Sequence, residues 1–313
     1  MKHILITGGC GYTGTPLTEN LTELGYEVTV VDTQWFGNYL KPCKNLTVVK
    51  LDIRNHDKIP LQGVDTVIHL SNIANDPSVE LNSKLSWEVN VLATQKLIEN
   101  SVKNKVKHFI FASSGSVYGF KEEEKVTEDL SLLPISTYNK TKMIAERVLR
   151  SYEKDINFHC IRPATVCGFS PRMRLDVSVN LLVFQALKFK SMSVFGGEQI
   201  RPNIHIQDLI NVYKHFIINS DLPGGFYNAG FENLKIIEIA HKVAKIIPSK
   251  IIIKENNDSR SYRQNSDKLL STGFKPKFTV DNAIKDLKNN YENKKFIESD
   301  KCYTVKWMKE LNL

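Results

Sequence analysis

The nine residues ITGGCGYTG constrain this chain more than any other stretch. They follow HILIT (His3–Thr7), a short apolar run of the kind a buried parallel strand shows, and they precede an amphipathic segment over 16–25 that stops at glycine. Gly8, Gly11 and Gly14 stand at G-x-x-G-x-x-G spacing. Such a turn lets backbone amides and a helix N-terminus approach a pyrophosphate, which bulkier side chains would hold off. An isolated glycine pattern is weak. This one lies in the first strand–turn–helix, where a dinucleotide fingerprint must lie. Asp32 ends the next strand-like run, EVTVVD, 18 residues beyond Gly14. A carboxylate there accepts hydrogen bonds from an adenosine ribose and repels a 2′-phosphate. No arginine follows at once in DTQWFG, so NAD is expected over NADP. Asp52, closing a strand over 46–52, could reach an adenine amino group, although an aspartate at a strand end is often only a turn former.

Strand and helix signals alternate through the first half. Further strands are expected over 64–70, 106–113 and 157–162, with helices over 77–103 and 136–153. That rhythm predicts an α/β fold with a doubly wound parallel sheet. The rhythm breaks after Arg162, at the Gly-, Pro- and Arg-rich PATVCGFSPRMRLD, which a helix over 177–190 follows. We therefore expect a Rossmann domain over 1–165 with a return segment over 204–230, and a smaller α/β lobe over 166–203 and 231–313. Residues 292–313 read as a helical extension without an evident role.

Bulk properties exclude some classes. With 313 residues the chain can bury a sizeable core. The net charge of +8 is spread along it, without a basic stripe interleaved with aromatics, so no nucleic-acid partner is expected. The five cysteines are scattered and form no C-x-x-C, which argues against a metal site or a disulfide frame and for a reducing compartment. No apolar run is long enough for a signal peptide or a membrane span. A cytoplasmic protein is expected.

Tyr138 and Lys142 are four residues apart in TYNKTKMIAE. Such pairs share a helix face and are common. This pair opens the helix after the fifth strand, and that strand runs into SSGSVYG. Ligands of open α/β sheets bind at the carboxyl ends of strands, so Ser114 and Tyr138 converge on the crevice at the glycine turn. Oxidising a secondary alcohol needs a base for the hydroxyl proton while hydride leaves the carbon. A phenol is too weakly ionised at neutral pH unless cations stabilise the phenolate. Lys142 can supply one, and also hold a nicotinamide ribose. Ser114 can orient the reacting hydroxyl.

These residues, with Asp52-Ile53, NVLATQKL from Asn90, RPATVCG, and RPNIHIQDL from Arg201, resemble the extended short-chain dehydrogenases/reductases, in the NAD-dependent epimerase/dehydratase group acting on nucleotide sugars. The resemblance covers almost the whole chain. It implies that Gly8, Gly11, Tyr12, Thr13, Gly14, Asp32, Asp52, Ile53, Leu70, Asn90, Tyr138 and Lys142 hold NAD. It also implies that Ser114, Ser116, Asn180, Arg201, Arg260 and Arg174, with Arg172 as a further candidate, meet the nucleoside-diphosphate sugar. Asn90 would hold the active-site end of its helix. Relatives that perform 4,6-dehydration usually carry an acidic pair directly after the position of Ser114, where this chain has Gly115 and Ser116. Relatives that epimerise at C3 and C5 carry a cysteine in that turn, and none stands here. The resemblance thus implies oxidation at C4, as a 4-epimerase or 4-dehydrogenase. A 4-ketoreductase shares the half-reaction. A non-catalytic NAD-binding module is a further alternative, disfavoured because Ser114, Tyr138 and Lys142 are all kept. The resemblance further implies a homodimer, through the long helix after the fourth strand and the Tyr138 helix. The lysine-rich composition suits bacterial surface-polysaccharide synthesis.

Overall fold

The computed structural model describes residues 2–255 and 261–313. In chain order the first half runs β1 (His3–Thr7), α1 (Gly14–Glu23), β2 (Glu27–Asp32), β3 (Leu46–Lys50), β4 (Thr66–His69), α2 (Asp76–Val79), α3 (Ser83–Trp87), α4 (Ala93–Lys103), β5 (His108–Ala112), α5 (Thr137–Ser151) and β6 (Asn157–Pro163). The second half runs β7 (Thr165–Cys167), α6 (Ser178–Phe189), β8 (Ser191–Phe195), β9 (Ile200–His205), α7 (Ile206–Ile218), β10 (Gly225–Ala229), β11 (Glu232–Lys235), α8 (Ile236–Ile246), β12 (Lys250–Lys254), α9 (Asp267–Ser271), α10 (Val280–Glu292) and α11 (Thr304–Glu310).

Seven strands form one parallel sheet in the order β10-β6-β5-β4-β1-β2-β3. The doubly wound α/β fold is the one expected. Successive side chains of a strand point to opposite faces, so Ile4 and Ile6 feed one core while Leu5 feeds the other. Helices cover both faces, which is why the central strands read as unbroken apolar runs. The order reverses between β1 and β4, and a crevice opens at their carboxyl ends. Two small sheets, β11-β9-β7 and β12-β8, stand beside the main one.

The helix expected over 77–103 is not continuous. Asn82 caps α3, accepting from the Leu85 N–H at 2.9 Å, and so ends the preceding segment. A π-helical turn then spans Glu88–Leu92. At its centre Asn90 accepts from the Ile73 N–H (2.8 Å) and donates to the Ile73 carbonyl and the Thr141 hydroxyl (both 3.1 Å). The wider turn presents this amide inward, where it ties the loop after β4 to α5.

A buried ion pair fixes α5 on the sheet. Glu146 receives Nε and Nη2 of Arg162, from β6, at 2.9 and 2.7 Å, and the Ser113 hydroxyl at 2.5 Å. Arg162 also donates to the Tyr118 hydroxyl (2.7 Å), which donates to Asn228 on β10 (2.8 Å). Removing one partner of such a pair leaves an uncompensated charge in the interior. Arg162→Leu should therefore lower the unfolding free energy by about 3–5 kcal/mol in a urea titration. The Glu146→Leu/Arg162→Leu double variant should recover part of that loss.

Candidate functional site

The crevice is a cavity of about 530 Å3, floored by the glycine turn. Backbone, not side chain, makes that floor. Gly8 has φ +75°, and a Cβ there would meet the Ser71 nitrogen at 2.7 Å. A Cβ on Gly14 would overlap the Gly8 carbonyl oxygen. At the start of α1 Thr13 gives no side-chain cap, the Thr15 N–H donates to the Gly11 carbonyl (3.0 Å) and Pro16 has no N–H. The N–H groups left to meet a phosphate are therefore those of the glycine turn itself. Asp32 lies at one end, its carboxylate accepting from the Cys10 N–H (3.0 Å) and the Gln34 N–H (2.6 Å). Burial raises its pKa, and the two amides and Arg172 oppose the rise. A bare glycine floor at a helix start and a carboxylate at the end of β2 fit a dinucleotide. Tyr12, Thr13, Ile53 and Leu70 line the same cavity. So does Asp52, whose carboxylate is paired with Arg54 at 2.9 Å.

At the other end Tyr138 and Ser114 both line the cavity, and Ser114 lies close enough to lower the pKa of the phenol. The Ser114 hydroxyl lies 2.8 Å from that of Ser116, which donates to Asn139 at 2.7 Å. Burial pushes the phenol up to about 12. Ser114 and Arg174 pull it down, and Asp76 raises it further. Asp76 was not singled out from sequence. It accepts from Ser136, the cap of α5, and so joins the cavity wall to the helix that carries Tyr138. Lys142 is 2% exposed and donates to the Ala112 carbonyl at 2.7 Å. Burial brings its pKa down to about 7, against the pull of Cys160 and Glu146. Arg174 is the cation whose charge lowers the phenol.

Three of the expected ligand-binding residues, Asn90, Lys142 and Asn180, do not line the cavity. Asn90 and Lys142 lie behind the cavity wall, on the partners described above. Asn180 is fully buried and does not line the cavity. Its oxygen accepts from the Gly168 N–H at 3.0 Å, and its nitrogen donates to the Tyr12 hydroxyl (3.0 Å) and the Arg174 carbonyl (2.9 Å). With those bonds made it acts as a bracket between the glycine turn and the loop after β7, and reaches a ligand through its neighbours. Arg201 does line the cavity, its guanidinium 4.7 Å from the Tyr262 ring centroid. Arg260 lies outside the described residues. The fold also brings in groups the sequence did not suggest: Trp35, Phe36 and Tyr213, and Thr304 and Met308 from the C-terminal segment. Among the described residues no cluster of His, Cys, Asp or Glu is placed to hold a metal ion. No helix there is long and apolar enough to cross a membrane.

Comparison with known proteins gives the same frame. Residues 4–230 match the model of the NAD dependent epimerase/dehydratase family. An uncharacterized UDP-glucose epimerase of Bacillus subtilis is 29% identical over 259 residues, covering 78% of this chain and 81% of that one. A putative UDP-glucose 4-epimerase of Methanocaldococcus jannaschii is 28% identical over 306 residues, 93% and 98% of the two chains. Among solved structures, an epimerase of Methanothermobacter thermautotrophicus superposes with a TM-score of 0.85 at 20% identity, over 93% and 94%, which shows a shared fold.

The lysine gives a pH-dependent prediction. Its pKa of about 7 in the folded protein lies below the ordinary 10.5, so between those values the unfolded chain binds more protons. The cost of burying its charge is thus fully present below about pH 7 and fades as pH rises toward 10.5. Lys142→Met should raise the urea midpoint at pH 6, and that gain should shrink steadily toward pH 10. A gain independent of pH would mean the ammonium is not desolvated.

Proposed function

The chain belongs to the NAD dependent epimerase/dehydratase family, and we propose that it oxidises C4 of a nucleoside-diphosphate sugar and returns the hydride, as a 4-epimerase. The observation that carries this reading is that Tyr138 and Ser114 line one end of the same cavity as the glycine turn, with no carboxylic acid in the turn after Ser114. A side chain at position 115 would meet the Gln264 amide at 3.0 Å, and that amide would have to give by a few tenths of an ångström to accept it. The lack of an acid in that turn counts against 4,6-dehydration. NAD, when bound, supplies the hydride acceptor.

The chain's own groups do the rest. Ser114 donates to the reacting oxygen and sets its position. Tyr138 removes the C4 hydroxyl proton. The phenol sits near pH 12 in the free protein, so it becomes a base only when positive charge arrives beside it. Arg174 and Lys142 are the resident cations, and the oxidised nicotinamide adds another. Arg201, held by Tyr262, suits the sugar nucleotide's diphosphate. In this reading residues 1–165 and 204–230 hold the cofactor, and 166–203 with 231–313 hold the sugar nucleotide. Uridine is the favoured base because both relatives carry the name of UDP-glucose epimerases. The exposed Trp87 and Leu92, flanking α4, support a homodimer through α4 and α5.

Incubation with UDP-glucose or UDP-galactose should yield the C4 epimer by NMR, without lasting absorbance at 340 nm. Accumulating ketone and NADH would instead favour a 4-dehydrogenase. Tyr138→Phe should cut kcat by about 10²–10⁴-fold while NAD affinity stays within a few-fold. Retained turnover would remove Tyr138 from the role of base.

A further inference from the structure

One charge in the cavity has no part in the reaction above. Arg172, in the loop between β7 and α6, is 4% exposed and lines the cavity. Its guanidinium lies 4.0 Å from the centroid of the Phe36 ring. Nε and Nη1 are shut away from solvent and have no acceptor among the described residues. A buried guanidinium with unused donors is costly unless an anion completes it. Burial lowers its pKa to about 10, so it remains a cation at neutral pH.

Its neighbours show which anion. Arg172 acts electrostatically on Asp32 and Tyr12. Arg174, two residues on, acts on Tyr12 and Tyr138 and is paired with Asp176 at 2.8 Å. The loop therefore divides two cations between the two ends of the cavity. Arg172 stands at the end where the helix start meets the ribose-reading acid. The C-terminal segment braces it there from both sides. The Leu175 N–H donates to the Cys302 carbonyl (2.9 Å), the Thr304 N–H donates to Asp176 (2.9 Å), and the Trp307 indole donates to the Trp35 carbonyl (2.6 Å).

We propose that Arg172 anchors the adenosine-side phosphate of the dinucleotide, stacked on Phe36 and held in place by residues 302–307. The proposal rests on the dinucleotide reading of the site and gives the C-terminal extension a role in it. The anchor links the second half of the chain to the cofactor, so the loop after β7 and the cofactor hold each other. Asp32 beside it disfavours a 2′-phosphate and selects the 5′-phosphate.

The test is calorimetric binding to the full chain of adenosine, ADP, 2′,5′-ADP and UDP, with Arg172→Gln and Arg172→Lys. Arg172→Gln should weaken ADP binding by about ten- to a hundredfold while adenosine and UDP stay within twofold. Arg172→Lys should fall between, since it keeps the charge without the planar fork. Equal losses for adenosine and ADP would make Arg172 a packing residue and overturn the proposal. So would a loss confined to UDP, a loss confined to 2′,5′-ADP, or unchanged ADP affinity. Failure of the unaltered protein to bind ADP would instead count against the dinucleotide site itself.

Discussion

Glu146 and Arg162 meet at 2.7 Å with both side chains almost wholly removed from water, and the arrangement of the cavity depends on that contact. Glu146 lies one helical turn beyond Lys142, which lies one turn beyond Tyr138. Fixing the first fixes the angular position of the other two. The same carboxylate takes the hydroxyl of Ser113, the residue before Ser114. One buried anion thus registers the helix against the strand end, and the phenol and serine meet as a consequence. The pair need not add net stability to do this. Its value lies in permitting only one docking of α5.

Burial works against charge at the two groups that the proposed chemistry uses. The Tyr138 phenol is pushed up and the Lys142 ammonium down, and in both cases burial is the main cause. Each shift favours the uncharged form of its group. A positive charge placed beside the phenol would oppose the effect of burial on it. Ser114, hydrogen-bonded through Ser116 to Asn139, stands beside the phenol and is held in place by that chain.

Much of this was legible in the sequence wherever the signal is local. The glycine turn, Asp32, and the Tyr138–Lys142 pair are short motifs whose geometry follows from one strand end or one helix turn. Even the break in the helix before α3 had a readable sign in Asn82. The distant pairings carried no such sign. Asn180 closes on Tyr12 across 168 residues, and nothing near it separates a bracket from a ligand contact. The absence of an arginine after Asp32 was sound as a local statement, yet Arg172 arrives there through the fold. Residues 292–313 gave no hint that Trp307 reaches the Trp35 carbonyl, since that contact exists only after the glycine-turn half and the C-terminal half have met.

The strand order has a bearing on synthesis. β6 lies inside the finished sheet only because β10, residues 225–229, pairs along its outer side. On the ribosome the first six strands can assemble while β10 is still unmade, leaving a parallel edge with unpaired amides open to other nascent chains. Asn228, which receives the Tyr118 hydroxyl, comes with that last strand. Until it emerges, the polar network around Arg162 is incomplete.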